Sequence, residues 1–113
     1  MTNQNFKNIW EAEKSNSEAC NRLRKALREV QDPEIGLDMI QLGLIRDVQI
    51  KNDGATIVMI LTNPYCPFAP AMFKAVQVKA EKTLGMPIKM EFGKEIWDQS
   101  MMEVENGLNW GLY

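Results

Sequence analysis

The stretch 55–62, Ala-Thr-Ile-Val-Met-Ile-Leu-Thr, constrains the fold more than any other part of the chain. When it is extended, Ile57, Met59 and Leu61 lie on one side and Val58 and Ile60 on the other, because successive side chains of a strand point to opposite faces. A strand apolar on both faces must be central in a sheet or covered twice. Directly ahead of it Asn52-Asp53-Gly54 turns the chain, and an Asp-Gly pair between two strand patterns favours a hairpin. The partner strand is 44–51, where Val48 and Ile50 form an apolar face against Asp47, Gln49 and Lys51. The two strands are expected to pair antiparallel, the first one half-buried.

Two amphipathic segments can cover this sheet. In 18–30, Cys20, Leu23, Leu27 and Val30 recur at helical spacing opposite Arg22, Lys25 and Glu29, with Ser17 as the expected N-cap. Asp32 ahead of Pro33 stops that helix. Another turn of helix is expected in the loop that follows, and Gly43 is expected to supply a positive φ or a close backbone approach. In 68–84, Met72, Val76, Ala80 and Leu84 make a second apolar stripe, ended by Gly85 and Pro87. Ile88, Met90 and Phe92 then alternate with Lys89, Glu91 and Gly93. This third strand is reached through a crossover helix, so it should run parallel to a neighbour.

The expected fold is therefore an α+β domain of two layers in the order α-β-β-α-β: a three-stranded mixed sheet with two helices packed on one face, plus a C-terminal tail. Residues 1–16 read as an N-terminal extension in which Phe6, Ile9 and Trp10 form one apolar edge, and residues 17–96 read as the domain proper. Residues 97–113 read as a tail of the same domain, docked onto it or onto a second subunit and partly covering the outer face of the second strand. In the tail, Ser100 and Glu103 have capping-box spacing for a short helix ended by Gly107.

Composition narrows the chemistry. A chain of 113 residues makes one domain. A net charge of -2 with dispersed Lys and Arg provides no basic stripe for nucleic acid. Residues 1–14 contain no apolar run suited to a secretory signal or membrane span, which points to a cytoplasmic protein. Two cysteines are too few for a secreted disulfide framework, so reduced thiols are expected. The chain has no histidine, which removes Ser-His-Asp and Cys-His nucleophiles, imidazole acid/base catalysis and His-containing zinc sites.

Cys66 lies between a strand end and a helix start, where unpaired amides and the helix dipole favour thiolate over thiol. Pro67 suits the first helical position, which would make Cys66 the N-cap; a helix starting only at Pro70 would leave the sulfur further from those amides. The competing reading is a buried structural cysteine. Cys20, in register with Leu23, Leu27 and Val30, reads as a core residue. Asp32 and Glu34 could orient a metal ion, accept the thiol proton or bind a cationic partner, and they suit an ordinary helix start with Asp32 as cap equally well. Thr62 could hydrogen-bond the sulfur or simply finish the strand ladder. Met59, Met72 and Met90 lie on core faces and read as gap fillers. The chain has no Gly-rich phosphate loop, no Cys-x-x-Cys and no four-cysteine pattern, hence no sign of an ATPase or of a self-sufficient cluster site.

Four motifs, in order, carry a resemblance: Val30-Gln31-Asp32-Pro33-Glu34, Leu42-Gly43-Leu44-Ile45-Arg46-Asp47-Val48, Leu61-Thr62-Asn63-Pro64-Tyr65-Cys66-Pro67, and Trp97 with Met101. Together they resemble the SufT/PaaD-like metal–sulfur cluster assembly family. The resemblance implies an accessory factor, rather than an enzyme, in iron–sulfur cluster assembly or delivery. Cys66 would be the key thiol, as metal or sulfur ligand or carrier, with Asp32, Glu34 and Thr62 near it and Tyr65 and Trp97 as binding residues. Tyr65 stands where the family often has glycine and could shield the thiol, and the usual prolines before Trp97 are absent. One thiolate cannot fill four-cysteine ligation, so any iron or cluster would be held transiently and shared between the subunits of a homodimer, or completed by a partner. The partners implied are the assembly machinery and recipient apo-proteins. A thiol redox enzyme or sensor and a non-catalytic adaptor binding through 97–113 are the competing readings.

Overall fold

The computed structural model describes residues 9–63, 65 and 67–103. Three strands, β1 (Ile45–Lys51), β2 (Gly54–Met59) and β3 (Ile88–Phe92), form one sheet in the order β1-β2-β3. The hairpin is antiparallel with Val48 opposite Ile57, and β3 runs parallel to β2 with Met90 opposite Ile57. The doubly apolar strand thus takes the centre, as its composition requires. The register shifts between Ile45 and Asp47, and this bulge lets Ile45 and Val48 both be buried although strict alternation would separate them.

Among the described residues three α-helices accompany the sheet: α1 (Ser17–Leu27), α2 (Met39–Leu42) and α3 (Ala69–Leu84). Cys20, Leu23 and Leu27 of α1 and Met72, Val76 and Ala80 of α3 join Val48, Ala55, Ile57 and Met59 in one core. Each fully buried leucine there contributes about 1.5–3 kcal/mol of transfer free energy. Asn16, not Ser17, is the N-cap of α1, and its side chain makes no capping bond. α2 is the expected extra turn, capped at its end by Gly43 at φ 73. A Cβ at Gly43 would stand 2.1 Å from the Met101 carbonyl oxygen, so both expectations for that glycine hold.

Trp10 lies in the segment set apart as an extension, yet it is 1% exposed and belongs to the core. Its indole Nε1 donates to the Ile45 carbonyl at 3.1 Å, and the Arg24 guanidinium stacks 3.8 Å from the ring centroid, in cation–π geometry. Arg24 also pairs with Glu13, on the 3-10 turn Glu11–Lys14. Ile9 is exposed, and Phe6 lies outside the described residues.

Past β3 the chain crosses back over the sheet. Gly93 sits so close that a Cβ would meet Ile60 at 2.8 Å and Val58 at 3.1 Å, which covers part of the second face of β2. Arg46 holds this segment through Glu95, Nε to Oε1 at 2.8 Å. Phe92, expected on an apolar face, is 59% exposed because it ends an edge strand. The expected capping box at Ser100 is replaced: Asp98 caps the 3-10 turn Gln99–Met101 and accepts from the Ser100 amide. Glu103 instead pairs bidentately with Arg28, at 2.9 and 2.7 Å. Gly107 and the expected end of that helix lie outside the described residues.

Candidate functional site

The loop between α1 and β1 is built around Asp32. Pro33 removes a donor and restricts the backbone, and the Asp32 Oδ1 accepts from the amides of Glu34 (2.8 Å) and Ile35 (3.3 Å). Its carbonyl accepts from Gly36 at 2.7 Å, and Gly36 supplies φ 83 to close the turn. Asp32 therefore organises a turn and does not start a helix; the helix of this loop is capped by Asp38. Asp32 is 1% exposed, and its Oδ2 is buried with no hydrogen-bond partner among the described residues. A buried carboxylate oxygen left over in this way can take a proton, a cation or a donor hydrogen. Glu34, two residues on, is exposed.

The second motif follows β2. Asn63 Oδ1 accepts from the Tyr65 amide at 2.9 Å, an Asx turn that starts the descent into α3. α3 begins at Ala69 with Phe68 as N-cap and Pro70 in its first turn. Pro67 is therefore not the first helical residue, and Cys66 is not the N-cap; the first helical amides lie beyond Phe68. Cys66 itself, like Pro64, lies outside the described residues. Its neighbours Tyr65 (87% exposed) and Pro67 face solvent.

Thr62 and Trp97 meet in one cleft of about 180 Å³, walled also by Ile60, Leu61, Phe92 and Ile96. Trp97 is fixed there by its Nε1, which donates to the Leu42 carbonyl at 2.6 Å. Asp32 and Glu34 do not line this cleft. The sequence reading missed Ile96 as a cleft residue; lying in no periodic segment, it carried no signal. Asp38 was missed too, although Asp38 followed by Gln41 has capping-box spacing.

Cys20 is fully buried in the core. Burial first, then the nearby Glu13 carboxylate, pushes its thiol up to about 11, so it stays protonated near neutrality. Among the described residues no group of three or more Cys, Asp and Glu side chains is disposed to hold a metal ion. No helix among them is long and apolar enough to cross a membrane.

Comparison with known proteins bears on the same segments. A maturation auxiliary factor for Fe-S proteins from Porphyromonas gingivalis is 38% identical over 92 residues, covering 78% of this chain and 87% of the relative. The factor YitW of Bacillus subtilis, also described as an Fe-S protein maturation auxiliary factor, is 47% identical over 53 residues, 46% of this chain and 52% of its own length. In structure, a domain of unknown function from Bacillus anthracis superposes with a TM-score of 0.69 at 28% identity, over 77% of this chain and 86% of that one. Residues 21–87, which hold the Asp32 turn, the central strand, the Cys66 loop and α3, match the family described as iron-sulfur cluster assembly protein. With more than half its length matched and the fold shared, this chain belongs to the iron-sulfur cluster assembly protein family.

Proposed function

We propose that this protein is an accessory factor in the assembly or delivery of iron–sulfur clusters, working in the cytoplasm, with the Cys66 thiolate as ligand or carrier. The observation that carries the reading is the 38% identity to a maturation auxiliary factor across 87% of that relative. Iron or a cluster is cargo in this scheme, not a resident cofactor. The burial of Cys20, with its thiol held protonated, supports assigning the chemistry to Cys66. On binding iron, the Cys66 thiol loses its proton and donates a sulfur lone pair to the metal. The Oδ2 of Asp32, without a hydrogen-bond partner among the described residues, supports a role for that carboxylate as acceptor of the proton or as a second ligand. Thr62 and Trp97, sharing a cleft, would bind part of a recipient or partner beside Tyr65, and Glu34 would meet cationic groups. Since one chain offers one available thiolate, the cargo would be shared across a homodimer or completed by a partner of the assembly machinery.

The test is anaerobic reconstitution with iron and sulfide, followed by transfer to a recipient apo-protein. The wild type and Cys20→Ala should acquire iron, acid-labile sulfide and charge-transfer absorbance and activate the recipient. Cys66→Ala should lose at least about nine-tenths of each, the loss expected when a thiolate ligand is removed. Identical loading and transfer by Cys66→Ala would overturn the assignment.

A further inference from the structure

A groove of about 690 Å³ runs between α3 and the segment 29–31 that follows α1. Its floor is aliphatic: Val30, three residues past the end of α1, and Ala71, Ala75 and Val78 of α3. The last three recur along one helical face. The rim is cationic, with Lys74, Lys79 and Lys82 on α3 and Glu29 opposite them. Three lysines against one glutamate give the lining a charge of 3 − 1 = +2, on a chain whose net charge is -2. The groove is thus opposite in sign to the molecule that carries it.

One carboxylate already occupies part of the rim. Lys79 Nζ donates to Glu29 Oε1 at 2.6 Å across the groove, and this bond holds the Glu29 carboxyl below its ordinary range. Lys74 and Lys82 are exposed, as is Val78 on the floor between them.

We propose that this groove docks an acidic amphipathic helix of a partner protein. Aliphatic side chains of that helix would lie on Ala71, Ala75 and Val78, and its carboxylates on Lys74 and Lys82. From 71 to 82 the face of α3 is about 16 Å long, enough for three turns of a docked helix. The two alanines admit a close backbone approach, and the apolar floor supplies contact area that charge alone would not. Nucleic acid fits this surface less well: among the described residues the rim offers no arginine or aromatic side chain for stacking, and Glu29 would face the phosphates. Gln31, which lines the groove, adjoins Asp32, and α3 leads directly from the Cys66 loop. A docked partner would therefore lie alongside the proposed site, although docking itself does not depend on thiol chemistry.

The full-length protein would be titrated, at low salt, with a fluorescent helical peptide of about 15 residues bearing leucine and alanine on one face and glutamate on the other. Lys74→Glu combined with Lys82→Glu should weaken binding about tenfold, and Val78→Asp should weaken it separately. Glu29→Gln, which releases Lys79, should strengthen it about twofold. Circular dichroism would show each variant folded, and unchanged alkylation of Cys66 would separate this surface from the thiol. If the wild type binds the peptide no better than the double charge reversal, or binds a single-stranded oligonucleotide more tightly, the proposal is overturned.

Discussion

Asp32 and Asp38 are both buried in the loop between α1 and β1, at the two ends of a turn closed by the backbone bridge from Gln31 to Asp38, and the structure uses them differently. Asp38 completes a local device: its Oδ1 accepts from the amides of Ile40 (2.9 Å) and Gln41 (2.8 Å), Gln41 Oε1 accepts from the Asp38 amide, and Arg28 stands 3.9 Å away. Asp32 satisfies two amides with one oxygen and keeps the other, buried, without a partner among the described residues. A buried acceptor left unpaired costs about 1–3 kcal/mol; Asp38 also takes two amides on its Oδ1, but its Oδ2 is not a buried atom left without a partner. The surplus oxygen of Asp32 is thus the part of the turn that folding alone does not explain.

The largest expected effect on stability comes from the aspartate that caps α2. Asp38→Ala removes the α2 cap and should cost about 1–2 kcal/mol in urea unfolding, with α2 and the Arg28–Glu103 clamp loosening together because Glu103 also donates its amide to the Gln41 carbonyl. Asp32→Asn should do the reverse. Asparagine keeps an oxygen for the Glu34 and Ile35 amides, so stability should change by less than about 1 kcal/mol. Cluster loading and transfer should nonetheless fall several-fold if the second oxygen serves the cargo. Should Asp32→Asn match Asp38→Ala in lost stability, or leave transfer intact, the contrast between a structural and a functional aspartate collapses.

The same contrast explains what could be read from the sequence. The hairpin, the central strand, the parallel third strand and the core position of Cys20 were legible because each rests on a short-range period: two for strands, 3.6 for helices, an Asp-Gly pair for the turn. Trp10 in the core, Glu103 on Arg28 and Glu95 on Arg46 were not, since these are contacts between residues far apart in the chain, to which no local pattern points. The role of Asp32 in the turn fell between these cases. Asp-Pro-Glu suits a helix start and an Asx turn alike, and only Gly36 at φ 83 decides for the turn. At the thiol, local rules also conflicted: Pro67 and Pro70 both suit a helical first turn, and the fold starts α3 at Ala69, between them.

The smallest expected effect tests how completely Asp38 is satisfied. Burial pushes its carboxyl above the ordinary 3.8, opposed by the Gln41 and Ile40 amides and the Arg28 guanidinium. A native carboxyl that holds its proton more tightly than the unfolded chain favours folding below the unfolded pKa, and that contribution is lost as pH rises through the native value. The wild type should therefore lose stability relative to Asp38→Asn as pH rises from below the ordinary 3.8 through the raised native value, seen as a shrinking difference in urea midpoint. A difference that stays flat would mean that the two amides and Arg28 offset the burial completely. One that grows with pH would mean that they over-stabilise the carboxylate, making Asp38 an electrostatic anchor and widening its distance from Asp32.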